Sequence, residues 1–352
     1  MTDVEQRIMR LSIPVPVIRE MDAVILKGIG GYSTRAEFII DAIQERVLEL
    51  SSQGTVDAGP PETDPSNPPL ARERQLDDQT PNDSITHAPL LATTSLVAPP
   101  SGYTVHEADN LSRPASRPLF GLHNRDYPSL WALSKLASLT VRGPIAIDYY
   151  LNEIVGLAWE YGEKLVALEN ATGIKCTALF PTNPEKRKQA ETGFRSFAIG
   201  DYRRAGSSYA TEGPLFEWNA VGIVLNRSEG LEIGLTASGW QLLNIVAGTT
   251  VAEPHPAIMS LRFFKHLSEY APGDLQGFIE IIHAIGEDGA SRQTVLDHVS
   301  RSWPGWTQSE VSTNCAGYIA RGREWGLIQP KQTRSRYHLT SLGIEYANGE
   351  AK

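Results

Sequence analysis

Residues 30–39 are GGYSTRAEFI, and this stretch predicts the start of a helix. Thr34 and Glu37 have the S/T-x-x-E spacing of a capping box, in which the two side chains satisfy free N–H groups of the first helical turn. Two glycines come before the box, and an apolar run begins after it. Because a helix N-terminus carries unpaired N–H groups and the positive end of the helix dipole, this end is suited to bind an anion.

The residues on the N-terminal side of this stretch predict a strand followed by another helix. Residues 7–14, RIMRLSIP, alternate between two faces and end in a proline, as a half-buried strand does. Residues 15–28, VPVIREMDAVILKG, place apolar side chains at helical spacing up to a glycine. A strand and two helices within residues 1–51 are too few to bury a core alone, and the strand has no partner. We therefore expect this N-terminal segment to fold as a homodimer in which the strand pairs with its own copy.

The stretches RLSIPVPVIREMD and GGYSTRAEFIIDAI together resemble the ribbon-helix-helix DNA-binding domains of the Arc, MetJ and CopG type. The resemblance is confined to residues 1–51. It implies that two paired strands enter the major groove of double-stranded DNA, while the N-terminus of the second helix contacts a phosphate. The residues that it assigns to base reading are Ile8, Arg10 and Ser12, and those that it assigns to a phosphate clamp are Ser33, Thr34 and Arg35. Ile8 departs from the polar reader that is usual at its position. The alternative is that Arg10 and Ser12 form only the solvated face of an edge strand.

Residues 52–115 differ in composition from the rest of the chain. They hold ten of the 23 prolines and nine acidic residues against three arginines, which is most of the net charge of −9. Such a proline-rich, acidic stretch without periodicity predicts a disordered linker. The net charge therefore does not exclude a nucleic-acid partner for the remaining residues.

The remaining residues contain an internal repeat. Residues 222–239, GIVLNRSEGLEIGLTASG, align without a gap to residues 326–343, GLIQPKQTRSRYHLTSLG. The shared residues are Gly222/Gly326, Leu235/Leu339, Thr236/Thr340 and Gly239/Gly343. Each copy has two short strands, a polar turn and then a threonine at a helix N-cap, which resembles the closing hairpin of a winged helix. We expect two winged-helix units, at 116–248 and 249–352, and a mainly α fold with short β strands.

The second predicted unit has three helices with recognisable starts. Asp274 and Ser291 are expected to cap the first two helices, and Thr307 with Glu310 forms a capping box at the third. The third helix would be the recognition helix and the hairpin the basic wing. We therefore predict a second DNA site on residues that this helix and wing expose, namely Ser309, Ser312, Thr313, Arg321, Lys331, Arg334 and Arg336. The alternative is a winged helix that docks a protein or dimerises. In the first unit the hairpin sets Arg227 against Glu229 and Glu232, which predicts no phosphate contact.

Other functional classes lack their motifs in this sequence. There is no G-x-S-x-G, H-E-x-x-H or phosphate loop, so we expect no enzyme, no cofactor and no metal site. No run of about 18 apolar residues and no signal peptide is present, so we expect a cytoplasmic, nucleoid-associated protein that does not enter a membrane. The predicted function is a homodimeric, sequence-specific DNA-binding protein, a transcriptional repressor of bacterial or archaeal type. The alternatives are an antitoxin or plasmid-partition protein whose C-terminal part binds a protein partner, and a sensor with a small-molecule pocket.

Overall fold

A computed structural model describes part of the chain and divides it into two compact units, Met1–Asp57 and Ala58–Lys352. The described residues are 15–26, 35, 39, 105, 125–172, 180–205, 208–226, 230–251, 254–330 and 336–349. The predicted strand at 7–14 and the predicted linker at 52–115, apart from Val105, lie outside them. Residues 125–349 are called the body below.

In the N-terminal unit, helix α1 is Val15–Leu26, which confirms the helix predicted from the apolar spacing. Met21 is buried, whereas Val17 and Leu26 are 49% and 90% exposed. Arg35 and Ile39 have helical conformation and lie in the second predicted helix. The described part of this unit therefore leaves two large apolar side chains open to solvent.

The first half of the body, residues 125–246, combines helices with two small sheets. Its helices are α2 (Tyr127–Leu139), α3 (Ile147–Thr172), α4 (Arg187–Phe194), α5 (Pro214–Glu217) and α6 (Ala237–Val246). A 3-10 turn at Pro184–Lys186 precedes α4, and a π turn at Arg195–Ile199 follows it. Its strands are β1 (Ile145–Ala146), β2 (Asp201–Ala205), β3 (Ser208–Glu212), β4 (Val221–Asn226) and β5 (Gly230–Leu235). One antiparallel sheet has the order β1-β5-β4, and β2 and β3 form a separate hairpin.

A connecting helix, α7 (Ala257–Tyr270), leads to the second half of the body, residues 271–349. The helices of the second half are α8 (Pro272–Ile285), α9 (Arg292–Ser302), α10 (Gln308–Glu324) and α11 (Ser341–Ala347). Strand β6 (Ala290–Ser291) pairs antiparallel with β7 (Arg336–Tyr337), and Ile328 pairs with Leu339 beside them.

Helix starts in the second half follow the sequence signals in two of three cases. The Ser291 hydroxyl caps α9, and Thr307 and Glu310 form both hydrogen bonds of the capping box at α10. The expectation that Asp274 caps the first helix is wrong, because α8 begins at Pro272 and places Asp274 in the first turn. Its carboxylate accepts hydrogen bonds from residues distant in the chain, which local spacing does not reveal.

The two halves of the body share one hydrophobic core. Phe263 of α7 stacks on Trp325, with ring centroids 4.0 Å apart, and lies edge-on to Trp218 at 5.6 Å. Both tryptophans are fully buried, one from each half. The described fold is mainly α with short β strands, as predicted, whereas the ribbon-helix-helix and winged-helix identities of its parts stay predictions.

The internal repeat is present in the structure with one change of alignment. The Thr236 N–H donates to the Ala220 carbonyl, and the Thr340 N–H donates to the Leu327 carbonyl. These pairs are 16 and 13 residues apart in sequence, so the second copy is three residues shorter. Matching the copies without a gap is right at their C-terminal ends and wrong at their N-terminal ends, where Gly326 corresponds to Asn219 rather than to Gly222.

Candidate nucleic-acid interface

In the N-terminal unit, Arg35 is the predicted site residue that the structure describes. Ile8, Arg10, Ser12, Ser33 and Thr34 lie outside the described residues. Nε and Nη2 of Arg35 donate to the two carboxylate oxygens of Asp22 in α1, at 2.5 and 2.6 Å. Hydrogen bonding from Arg35 lowers the pKa of Asp22. The side chain of Arg35 remains 57% exposed, so its guanidinium is held by α1 at the surface and not inside a core.

In the second half of the body, the predicted hydroxyl residues lie along one side of α10. Ser309 is exposed and Ser312 and Thr313 are half-buried, at positions i, i+3 and i+4 of the helix. The Nη2 of Arg292, an exposed residue at the start of α9, donates to the Ser312 hydroxyl at 2.9 Å. These three hydroxyls and the Arg292 guanidinium are thus accessible near the N-terminal part of α10, together with Gln308 and the Glu310 carboxylate of the capping box.

Arg336 lies on β7, beside the start of α9. It pairs with Ser291, the residue before Arg292, and its Nη2 donates to the Gly289 carbonyl at 2.7 Å. It is exposed, as predicted for a wing residue. Lys331 and Arg334 lie outside the described residues. The candidate interface is therefore defined by Arg292, Ser309, Ser312, Thr313 and Arg336.

The expectation that Arg321 is exposed on the third helix is wrong. Its side chain is only 2% exposed and forms ion pairs with Asp126 and Asp274. The reason is helical periodicity, because Arg321 follows the buried Tyr318 by three residues and so lies on the inner side of α10. Arg321 is a residue of the body's interior and not of its surface.

Arg321 belongs to a buried charge network that joins the two halves. Its Nε donates to Asp126 at 2.7 Å, and its two terminal nitrogens donate to both oxygens of Asp274 at 2.7 Å each. The Trp218 and Trp325 indole N–H groups donate to Asp274 and Asp126, at 2.9 and 2.6 Å. Burial opposes the charge of Arg321, but the two carboxylates outweigh it and raise its pKa. A half-satisfied network of this kind would be costly, and here each carboxylate accepts several donors.

Glu324 extends the network to the start of α2. Its carboxylate accepts the backbone N–H groups of Asp126 and Tyr127, at 2.5 and 2.9 Å, and so caps a helix of the other half. Arg125 and His255 approach the same carboxylate at 3.0 and 3.3 Å. Burial opposes ionisation of Glu324, but Arg125, His255 and the backbone donors outweigh it and hold its pKa well below the ordinary value.

Sequence patterns missed this network, although one signal for it was present. Each half contains a Glu-Trp pair just before its hairpin, EWNAV at 217–221 and EWGLI at 324–328. Extending the repeat upstream with a three-residue gap finds both pairs. The two aspartates carry no comparable signal, because their partners lie 44 to 199 residues away in the sequence.

No three His, Cys, Asp or Glu side chains among the described residues are grouped so as to hold a metal ion. No described helix is long and apolar enough to cross a bilayer.

No known family model, curated protein or solved structure matches the chain.

Proposed function

We propose that this chain is a homodimeric, sequence-specific DNA-binding protein that regulates transcription. The N-terminal segment reads the DNA sequence, and the second half of the body adds a further contact through the candidate interface. The observation that carries the body's role is the order of elements in its second half. Two helices flank the short strand β6, a third helix, α10, follows, and the chain then returns through β7 to pair with β6.

This order is the one expected of a winged helix, and its physical logic supports DNA binding. The major groove admits an α-helix, whose accessible side must hold short polar side chains or basic ones. Ser309, Ser312 and Thr313 supply short hydroxyls on α10. Arg292 donates to the Ser312 hydroxyl, and Arg336 pairs with the residue before Arg292, so both cations could contact the phosphates that flank the groove.

The first half of the body is less suited to this contact. The helix of the first half that corresponds to α10 is α5, which is only four residues long. Its strand β5 carries Glu232 where β7 carries Arg336, since Ile233 and Tyr337 make equivalent pairs with β1 and β6. An acidic residue at this place repels phosphate, so we assign the DNA contact to the second half alone.

For the N-terminal segment the proposal rests on the resemblance to ribbon-helix-helix domains and on two features of α1. Val17 and Leu26 are open to solvent in a single copy, and pairing with a second copy is a way to cover them. Arg35 stands at the surface with its guanidinium oriented by Asp22. An oriented arginine at the predicted start of a helix is suited to contact a phosphate.

The experiment that tests the body's role measures how full-length binding to a selected DNA duplex depends on salt. The variant Lys331→Ala/Arg334→Ala/Arg336→Ala should bind more weakly and with a shallower salt slope, by about 0.9 for each lost phosphate contact. The matched control removes three exposed cations elsewhere in the body, Arg142→Ala/Lys188→Ala/Arg262→Ala. It should leave the slope unchanged. Equal slopes in wild type and triple variant would make the body a protein-binding module, as in an antitoxin or partition protein.

A further inference from the structure

The two halves of the body contain the same local structure at the ends of α5 and α10. Trp218 and Trp325 each donate their backbone N–H four residues back, to Pro214 and Arg321. The next residue in each half is left-handed, Asn219 with φ of 52° and Gly326 with φ of 68°. The residue after that donates five residues back, Ala220 to Leu215 and Leu327 to Gly322. Each helix thus ends in the same way before its hairpin.

The helices after the two hairpins begin in the same way as well. Thr236 and Thr340 accept the N–H of Gly239 and Gly343, at 3.0 and 3.1 Å. Each threonine hydroxyl also donates to the carbonyl of the left-handed residue of its own half. Each glycine lies against a backbone carbonyl, where an added Cβ would come within 1.9 or 2.1 Å of the oxygen. A side chain of any size is excluded at both positions.

The strands agree in register too. Ile145 of β1 pairs with Ile233, and Ala290 of β6 pairs with Tyr337. Both partners stand three residues before the capping threonine of their half. The two halves therefore match in helix end, strand pairing and helix start, although their lengths differ.

The contacts between the halves are reciprocal. Trp218 of the first half donates to Asp274, which lies at the start of α8 in the second half. Trp325 of the second half donates to Asp126, which lies at the start of α2 in the first half. The two tryptophans are equivalent, and each binds an aspartate near the start of a helix in the other half, although Asp126 precedes α2 and Asp274 is the third residue of α8. Such exchanged contacts are typical of an isologous interface between two copies.

We infer that the body is an internal duplication whose first half is a built-in partner that positions α10. Three side chains at the C-terminal end of this helix contact the first half. Arg321 and Trp325 bind the Asp126 carboxylate, and Glu324 caps α2. The exposed hydroxyls lie toward the other end of α10. Asp126, Asp274 and Trp218 are thus positioning residues for the DNA contact, a role that rests on the proposed function.

The test uses the full chain with Trp218→Phe and Trp325→Phe, which remove one indole donor from each side of the reciprocal interface. The matched control is Trp240→Phe, because Trp240 is buried and its indole nitrogen has no hydrogen-bond partner among the described residues. Hydrogen exchange of α10 should be about tenfold faster in both interface variants than in the control, since each leaves a buried carboxylate short of a donor. DNA affinity should fall in both, with the salt slope unchanged because no phosphate contact is lost.

Faster exchange confined to residues 125–246 in Trp218→Phe, with α8 and α10 as in the control, would overturn the inference. If wild type binds no DNA, the proposed function fails, and the exchange results still decide the coupling of the halves. Should either tryptophan variant fail to fold, the isosteric pair Asp126→Asn and Asp274→Asn is measured instead. The inference then requires faster hydrogen exchange in the half opposite to the substitution. This half is represented by α10 for Asp126→Asn and by α5 for Asp274→Asn.

Discussion

Glu324 is a buried carboxylate whose donors bind its ionised form. Two backbone N–H groups, a guanidinium and a histidine ring contact it, and its pKa lies well below the ordinary value of 4.5. A carboxyl group with a depressed folded-state pKa stabilises the fold above its unfolded pKa and loses that contribution as the pH falls. The charge of this one residue is therefore coupled to the junction between the two halves.

We predict that Glu324→Gln lowers the free energy of unfolding by about 3–5 kcal/mol at pH 7, because it leaves Arg125 and two helical N–H groups without a charged acceptor. The difference from wild type should shrink as the pH drops below about 4.5, where wild-type Glu324 binds a proton on unfolding. Urea titrations at pH 7, 5 and 4 measure it. Glu163→Gln, at an exposed position of α3, serves as control. A pH-independent difference would contradict this role of the charge.

In the N-terminal unit, Asp22 binds Arg35, the residue that the proposal assigns to a phosphate contact. We predict that Asp22→Asn tightens binding of the full chain to DNA and steepens the salt slope by up to about one, because the guanidinium is released and a negative charge is lost. Fluorescence anisotropy at several salt concentrations measures both quantities. The double variant Asp22→Asn/Arg35→Ala separates the two causes. If it binds as tightly as the single variant, Arg35 is not a clamp residue.

The local sequence predicts a helix start correctly wherever that start depends only on neighbouring residues. The caps at Ser291, Thr307 and Thr340, and helix α1, were predicted from spacing, and the structure confirms them. The prediction that Arg321 is exposed is wrong because its partner Asp126 is 195 residues away in sequence. A helical residue near the edge of an apolar stripe is consistent with either side of the helix until the opposing surface is known.

The close packing at the start of α11 predicts how a substitution at Gly343 changes the stability of the fold. Gly343→Ala should destabilise the fold by about 1–3 kcal/mol, because its Cβ would meet the Leu327 carbonyl oxygen at 2.1 Å. Gly156→Ala, within α3 and with no atom within 4 Å of the added Cβ, should instead stabilise by about 0.5–1 kcal/mol. Thermal unfolding of the two variants compares them. Destabilisation by both substitutions to the same extent would argue against the close approach.

Sequence periodicity predicts the mainly α fold, but it does not predict the shared core of the body. Each half carries its own hairpin and helix signals, so the sequence predicts two units in succession. Their fusion depends on Trp218, Phe263 and Trp325, three aromatic residues from separate segments that meet in one core. The residues next to a tryptophan in the sequence do not show whether its side chain packs inside one unit or between two units. Ser309 and Arg336 are exposed, as the sequence predicts from one helix and one strand, and their role in DNA binding stays a prediction.

The position of Arg321 also bears on how such a body evolves. Arg321 binds both Asp126 and Asp274, the two aspartates that accept the indole donors of the equivalent tryptophans. In a symmetric homodimer each copy would bring its own arginine to these two carboxylates, and two like charges would lie close together. In this chain the equivalent residue is Pro214, so a single guanidinium serves both carboxylates. Joining two copies in one gene lets each copy change independently, and asymmetric chemistry then becomes accessible at the centre of a symmetric contact.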